Sequence, residues 1–402
     1  MRACFKKCSL KGKVQAPPSK SMAHRYLILS YLSGEKCKVS NIAFSEDIKA
    51  TLNCLKRLGA SLEMSENEVL IKKTDSDKIP FLNCNESGST LRFLIPIALT
   101  LDKEVTFTGT EKLFSRPLDI YEKLCSEKGF LFRKENDKLT VKGKLSGGSY
   151  TVRGDISSQF ISGLLFALSL IPEESVINVL PPFESKSYVL MTAQSLNEFG
   201  IKVDVTDRNI RIKGGKYVKR DSLIEGDYSN AAYIEGFNLA DGNCVEISGL
   251  SKSIQGDRVY KKLFEQLENF SEIDISDCPD LGPVLFVGAA LKCGATFNGT
   301  KRLAAKESDR VSEMAEELKK FGIKVEWTEN SATVGKGNIK PPDCDLSSHN
   351  DHRVLMALSI LLSVTGGTIT GAEAVKKSFP DYFEKIKQLG AEVKLTDDSR
   401  CD

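Results

Sequence analysis

At 402 residues the chain is too long for one compact core, so two or three domains are expected. With 41% hydrophobic and 27% charged residues and a net charge of +2, it reads as an ordinary globular protein, with no signature of nucleic-acid or membrane-surface binding. No apolar run approaches the roughly 18 to 20 residues of a membrane span, and the first ten residues lack the apolar stretch of a signal peptide. Eleven scattered cysteines without a C-x-x-C pair point to reduced thiols in a cytoplasm, and away from disulfides, a zinc site or any other metal.

The chain opens on a strand-like run, CFKKCSLKGKV, and then reaches PPSKSMAHR at residues 17–25. The two prolines fix an extended approach, and Ser19, Lys20 and Ser21 lead into an apolar, helix-compatible run over residues 22–32. A helix start carries unpaired N–H groups and the positive end of the macrodipole, so Lys20 and Arg25 would add full charges to an existing anion site. An ordinary Ser cap beside solvated basic residues accounts for the same stretch.

From residue 36 one pattern repeats: a short β-like run, a polar loop, an amphipathic helix, a Gly, then a strand, a turn and a returning strand. The helix ends LKRLGASLEM, LCSEKGFLFR, LNEFGIKVDV, LKKFGIKVEW and IKQLGAEVKL centre on Gly59, Gly129, Gly200, Gly322 and Gly390. Their spacings of 70, 71, 122 and 68 residues leave room for a degenerate copy near Asn269, which makes six units. Each Gly falls where a helix needs a left-handed residue before turning into a strand. The following segments, with turns KEND and TDRN, read as hairpins.

A second, more apolar helix per unit is expected inside. The six starts are SKSMAHRYLIL, ESGSTLRFLIP, DISSQFISGLL, DYSNAAYIEGF, CPDLGPVLFVG and NDHRVLMALSI, each with Ser, Asp or Asn at the cap region. The last unit ends without its returning strand, and the N-terminal run resembles one. A circularly closed repeat follows, with residues 1–18 plus 227–402 forming a discontinuous lobe and 19–226 an inserted one. Such closure leaves no obvious open edge, so a monomer is expected.

Chemistry-bearing residues gather at the helix starts and matching loops. NESGSTLRF offers Gly88 and Arg92, and Arg116 precedes a proline and a helix. DISSQF brings Ser157, Ser158 and Gln159, and PPFESKSY brings Ser185, Lys186 and Tyr188. In the second half come Asp280 in CPDLGP, then Lys306, Glu307 and Arg310 in AAKESDR, Arg353 in NDHR, and Lys377 in KKSFPDYF. If the repeats stack with pseudo-symmetry, Lys20, Arg25, Arg92, Arg116, Lys306, Arg310, Arg353 and Lys377 face a common space, which implies a small polyanion bearing phosphates and carboxylates. Asp280 and Glu307 among those cations imply acid/base work. There is no Walker loop and no GxGxxG after a strand, so the residues do not point to nucleotide binding.

Taken in order, PPSKSMAHR, ESGSTLR, SRP, DISSQF, ESKSY, EGDYSNAAY, KESDR, NDHR and KKSFPDYF resemble the 5-enolpyruvylshikimate-3-phosphate synthase family over essentially the whole chain. The resemblance implies an α/β, two-lobed enolpyruvyl transferase fold of six βαβαββ repeats, three per lobe. Its lobes would be inverse-barrel-like, with inner helices aiming their N-termini at the interlobe cleft. It also implies transfer of the enolpyruvyl group of phosphoenolpyruvate to the 5-hydroxyl of shikimate 3-phosphate, without a cofactor. By motif, Lys20, Ser21, Arg25, Ser157, Ser158, Gln159, Ser185, Tyr188, Asp280 and Lys306 would hold shikimate 3-phosphate. Lys20, Gly88, Arg116, Gln159, Arg310, Arg353 and Lys377 would hold phosphoenolpyruvate, and Asp280, Glu307 and Lys20 would move protons. Glu86 stands where many members have Asn, and Arg302 where some carry an Asn that contacts the acceptor. Two other readings are a related transferase acting on UDP-N-acetylglucosamine and a non-catalytic binder of a phosphorylated metabolite. Against the first, the segment GTEKLFSRP lacks the reactive Cys typical of that family; against the second, Lys20, Asp280 and Glu307 all keep their motif positions.

Overall fold

In the computed structural model, which describes residues 1–74 and 81–397, the chain divides into two compact units, Met1–Pro17 with Gly226–Asp402, and Pro18–Glu225. Each has its own continuous hydrophobic core. No helix among the described residues is long and apolar enough to cross a membrane, and no group of His, Cys, Asp or Glu among them could hold a metal ion.

The Pro18–Glu225 unit contains three four-stranded sheets of one design. In the second, Phe81–Asn83 runs parallel to Val105–Thr108, which pairs antiparallel with Lys138–Lys142, and that strand pairs with Leu131–Lys134. Val105 and Phe107 are buried while Thr106 and Thr108 are only half-buried, the alternation of a sheet with one face on a core. The helices Lys20–Leu32, Gly88–Ala98 and Ser158–Leu168 are apolar nearly all round and almost wholly buried. The last two approach so closely at Gly163 that a Cβ there would overlap the Arg92 carbonyl and the Tyr121 hydroxyl. That hydroxyl donates to the carbonyls of Arg92 (2.8 Å) and Phe160 (3.0 Å). The Gly-terminated helices, such as Glu46–Arg57, keep a polar outer face, and the five marker glycines all have positive φ.

The other unit repeats the design with two four-stranded sheets and one two-stranded sheet. Its degenerate copy lacks the hairpin: the Tyr260–Gln266 helix runs straight into Ser271–Asp274, the first strand of the next sheet. The N-terminal run is two strands, not one. Arg2–Phe5 lies between Gly367–Thr370 and Val393–Thr396 and supplies the returning strand of the last sheet, whereas Lys11–Gln15 pairs in parallel with Cys244–Ser248. Nine of the described cysteines are free, most of them buried, but Cys4 in the first strand is disulfide-bonded, against the expectation of thiols throughout.

Candidate active site

In the Pro18–Glu225 unit most of the residues read as anion-binding sit at or near helix starts. Ser19 caps the Lys20–Leu32 helix, accepting from the Met22 N–H, so Lys20 is its first residue. Lys20 Nζ lies 2.8 Å from Asp47 Oδ2. Arg25, one turn on, is buried and donates to Thr192 Oγ1 (2.9 Å) and to the carbonyls of Ser21 (2.6 Å) and Tyr188 (2.8 Å). Burial lowers its pKa to about 10, which leaves it cationic at neutral pH. Arg25 thereby ties the Lys186–Glu198 helix, at Tyr188 and Thr192, to the first helix.

Gly88 opens the next inner helix, and its missing side chain matters: a Cβ there would lie 2.9 Å from Arg116 Nη1. The Arg116 guanidinium therefore rests against that helix N-terminus. Arg92 donates to Gln159 Oε1 (2.8 Å) and to the Pro117 carbonyl (3.0 Å), and Gln159 Nε2 donates to Ser89 Oγ (2.9 Å). Ser157 caps the third inner helix, which begins at the buried Ser158. Glu86 is half-buried two residues before Gly88.

In the other unit a dense ion cluster forms. Asp280 sits in a 3-10 turn, Pro279–Leu281, ahead of the Gly282–Leu291 helix, and does not cap it. Its carboxylate instead accepts from Arg310 Nη1 (2.9 Å) and lies 3.1 Å from Lys306 Nζ and 4.0 Å from Arg353 Nη2. Arg310 also donates through Nε to Asp351 Oδ2 (2.8 Å), and through Nη2 to Glu307 Oε2 (2.7 Å) and Asp351 Oδ1 (3.3 Å). Four of the five guanidinium N–H groups are thus directed at carboxylates.

Burial alone would raise the Asp280 carboxyl, but Lys306, Arg310 and Arg353 together outweigh it and hold the group well below the usual carboxylate range. Burial lowers the Lys306 ammonium, aided by the charges of Arg310 and Arg302 and opposed by Asp280. Arg302 is itself buried. Arg353 donates to Asn230 Oδ1 (3.0 Å) and lies 5.1 Å from the Tyr233 ring centre, while its buried Nε has no hydrogen-bond partner among the described residues. Lys377 Nζ donates to the Asn350 carbonyl (2.6 Å).

The residues read from the motifs therefore gather into two sets, one in each unit. Pattern reading missed their holders. Asp47 and Asn230 are distant in sequence from the cations they contact, and Asp351 looks like a simple helix cap although it also holds Arg310. A buried polar chain was missed as well: His24 Nδ1, Thr51 Oγ1, Thr90 Oγ1 and Ser87 Oγ are linked at 2.8, 2.7 and 2.7 Å. Burial, with Lys20 and Arg25 nearby, pushes the His24 pKa well down, so its imidazole is neutral. His24 and Thr90, polar residues on largely apolar helices, were the available signal.

The chain is similar to known proteins over nearly its whole length. The family model for EPSP synthase (3-phosphoshikimate 1-carboxyvinyltransferase) matches residues 6–269 and 255–386. The 3-phosphoshikimate 1-carboxyvinyltransferase of Clostridium kluyveri is 42% identical and that of Clostridium acetobutylicum 39%, each alignment covering 96% of both chains. Two structures of EPSP synthase from Acinetobacter baumannii share the fold, with TM-scores of 0.79 and 0.80 at 24% and 22% identity, over 98% of this chain and 100% and 99% of those. The chain belongs to the EPSP synthase (3-phosphoshikimate 1-carboxyvinyltransferase) family.

Proposed function

We propose that this enzyme transfers the enolpyruvyl group of phosphoenolpyruvate to the 5-hydroxyl of shikimate 3-phosphate and releases inorganic phosphate. The observation that carries the reading is the Asp280 carboxylate set within reach of Lys306, Arg310 and Arg353. In the addition step Asp280 takes the 5-hydroxyl proton, the oxygen attacks C2 of phosphoenolpyruvate, and its methylene carbon receives a proton. Elimination then removes a proton from the resulting methyl group and breaks the bond from C2 to the phosphate oxygen. Glu307 and Lys20 are assigned to the carbon proton.

Acceptor binding is assigned to Ser21, Arg25, Ser157, Ser158, Gln159, Ser185 and Tyr188, with Lys20, Asp280 and Lys306. Phosphoenolpyruvate is assigned to Lys20, Gly88, Arg116, Gln159, Arg310, Arg353 and Lys377. A carboxylate held so acidic by three nearby cations is a weak base. Anionic groups of the substrates that share Arg310 and Arg353 would raise its basicity when the reactants are present.

Phosphate release from phosphoenolpyruvate, measured with and without shikimate 3-phosphate and with UDP-N-acetylglucosamine as a competing acceptor, tests the reading. Release that requires shikimate 3-phosphate is the expected result. Release that requires the nucleotide sugar instead, or no release with either acceptor in folded protein that still binds phosphoenolpyruvate, would overturn it.

A further inference from the structure

Residues 347–351 form a turn that touches every cation assigned to phosphoenolpyruvate in its unit. Asp351 holds Arg310 and accepts from the Arg353 backbone N–H (2.8 Å), and the Asn350 carbonyl accepts from Lys377. The turn has an uncommon backbone. His349 and Asn350 are consecutive non-glycine residues at φ 50° and 56°, and each left-handed residue of this kind costs on the order of 1 kcal/mol. Something must hold them there.

The local bonds are Ser347 Oγ accepting from His349 N (3.0 Å) and Ser348 Oγ accepting from Asn350 N (3.2 Å) while donating to the Gly371 carbonyl (2.9 Å). The long-range tie is the His349 imidazole, whose Nε2 lies 2.9 Å from Glu317 Oε1. Glu317 is fully buried in the Arg310–Lys320 helix, where it also accepts from the Ser347 N–H (3.1 Å) and from Lys320 Nζ (2.9 Å). That helix begins with Arg310. The pair thus fastens the turn to the element that carries one of the cations the turn must place.

We propose that His349 is a positioning residue for the enolpyruvyl donor, its bond to Glu317 locking the turn that sets Arg310, Arg353 and Lys377. This rests on the function proposed above. The charged groups around the imidazole are Glu313, Glu316, Glu317 and Lys320 on the packed helix, with Arg2 paired to Asp345 ahead of the turn. The Glu317 bond raises the His349 pKa above its ordinary value, against the effect of burial, with Glu313 adding to the rise. A raised folded value means that the ionic lock is complete below the unfolded value near 6.5 and fades as pH climbs through the folded one. Affinity for phosphoenolpyruvate therefore falls with rising pH in that window.

The test is steady-state kinetics of the full chain against pH for wild type, His349→Asn and Glu317→Gln. Asn tolerates the left-handed backbone and is too short to reach Glu317, so it removes the lock without adding strain. In His349→Asn the expected KM for phosphoenolpyruvate is about tenfold higher at low pH, as for loss of one charge-assisted bond. KM for shikimate 3-phosphate should stay within about twofold, since most residues assigned to it lie elsewhere. The pH-dependent rise in the donor KM should vanish in the variant, whereas ionisation of the substrates themselves affects both proteins equally. Glu317→Gln, which keeps a side-chain acceptor, should fall between the two. An active wild type whose donor KM follows the same pH curve as the variant, or a variant in which both KM values rise together, overturns the inference alone. A wild type that releases no phosphate overturns the reading beneath it.

Discussion

Gly88 shows how one missing side chain can define a site. The Arg116 guanidinium occupies the space that a Cβ would take, so the two residues share one patch at a helix N-terminus. Gly88→Ala should displace the end of a flexible side chain and leave backbone untouched. The fold and Tm are expected to hold, while KM for phosphoenolpyruvate rises by roughly tenfold through the shifted Arg116. An unchanged KM would separate Arg116 from the donor. Asp280 gives a second prediction at this scale. Because its carboxyl is held well below the usual range, it is ionised at every working pH of the free enzyme. The acid limb of kcat/KM should therefore not report Asp280, and Asp280→Ala should lower kcat by roughly 10²- to 10⁴-fold while shikimate 3-phosphate still binds by calorimetry. A limb near pH 4 that disappears in the variant would show that its basicity had been misjudged.

The inner helix starts were the most legible elements. Ser19, Ser87, Ser157, Asp227 and Asp351 all cap as their residue types suggest, because a cap needs only a side-chain oxygen a few atoms from a local N–H. Local chemistry is written in local sequence. Asp280 broke the pattern because Pro279 starts a 3-10 turn before the helix proper, which frees its carboxylate for partners 26 and 30 residues away. The N-terminal run was misread for a related reason. Strand pairing joins distant segments, and a β-like run does not say whether it is one strand or two. Asp351 combines both kinds of role, as a cap and as the buried partner of Arg310. Asp351→Ala should therefore cost far more than the ~1 kcal/mol of an ordinary cap, on the order of 3 to 5 kcal/mol, because Arg310 keeps its charge and loses its most deeply buried carboxylate. Chemical denaturation would read this directly, and a loss of ~1 kcal/mol would mean that Asp280 and Glu307 compensate.

The division of the chain into two units carries the last consequence. The Pro18–Glu225 unit is continuous in sequence and owns a complete set of three sheets. Even the first of these is completed from within, since Ser222–Leu223 supplies the strand beside Cys37–Ser40. The other unit needs both ends of the chain, with Arg2–Phe5 inserted between two C-terminal strands. A fragment of residues 18–225 should therefore unfold cooperatively by itself, whereas residues 226–402 without the N-terminal strands should not. Most of the residues assigned to shikimate 3-phosphate lie on that fragment, with Asp280 and Lys306 outside it. Calorimetry is thus expected to find acceptor binding weaker than in the full chain and no phosphate release, because Asp280 and Glu307 are missing. The anionic ligand should also raise the fragment's Tm with concentration, as any ligand specific to the folded state must. A folded fragment that ignores shikimate 3-phosphate would mean that the acceptor depends mainly on Asp280 and Lys306, and the roles given to Ser157, Ser158, Ser185 and Tyr188 would have to be withdrawn.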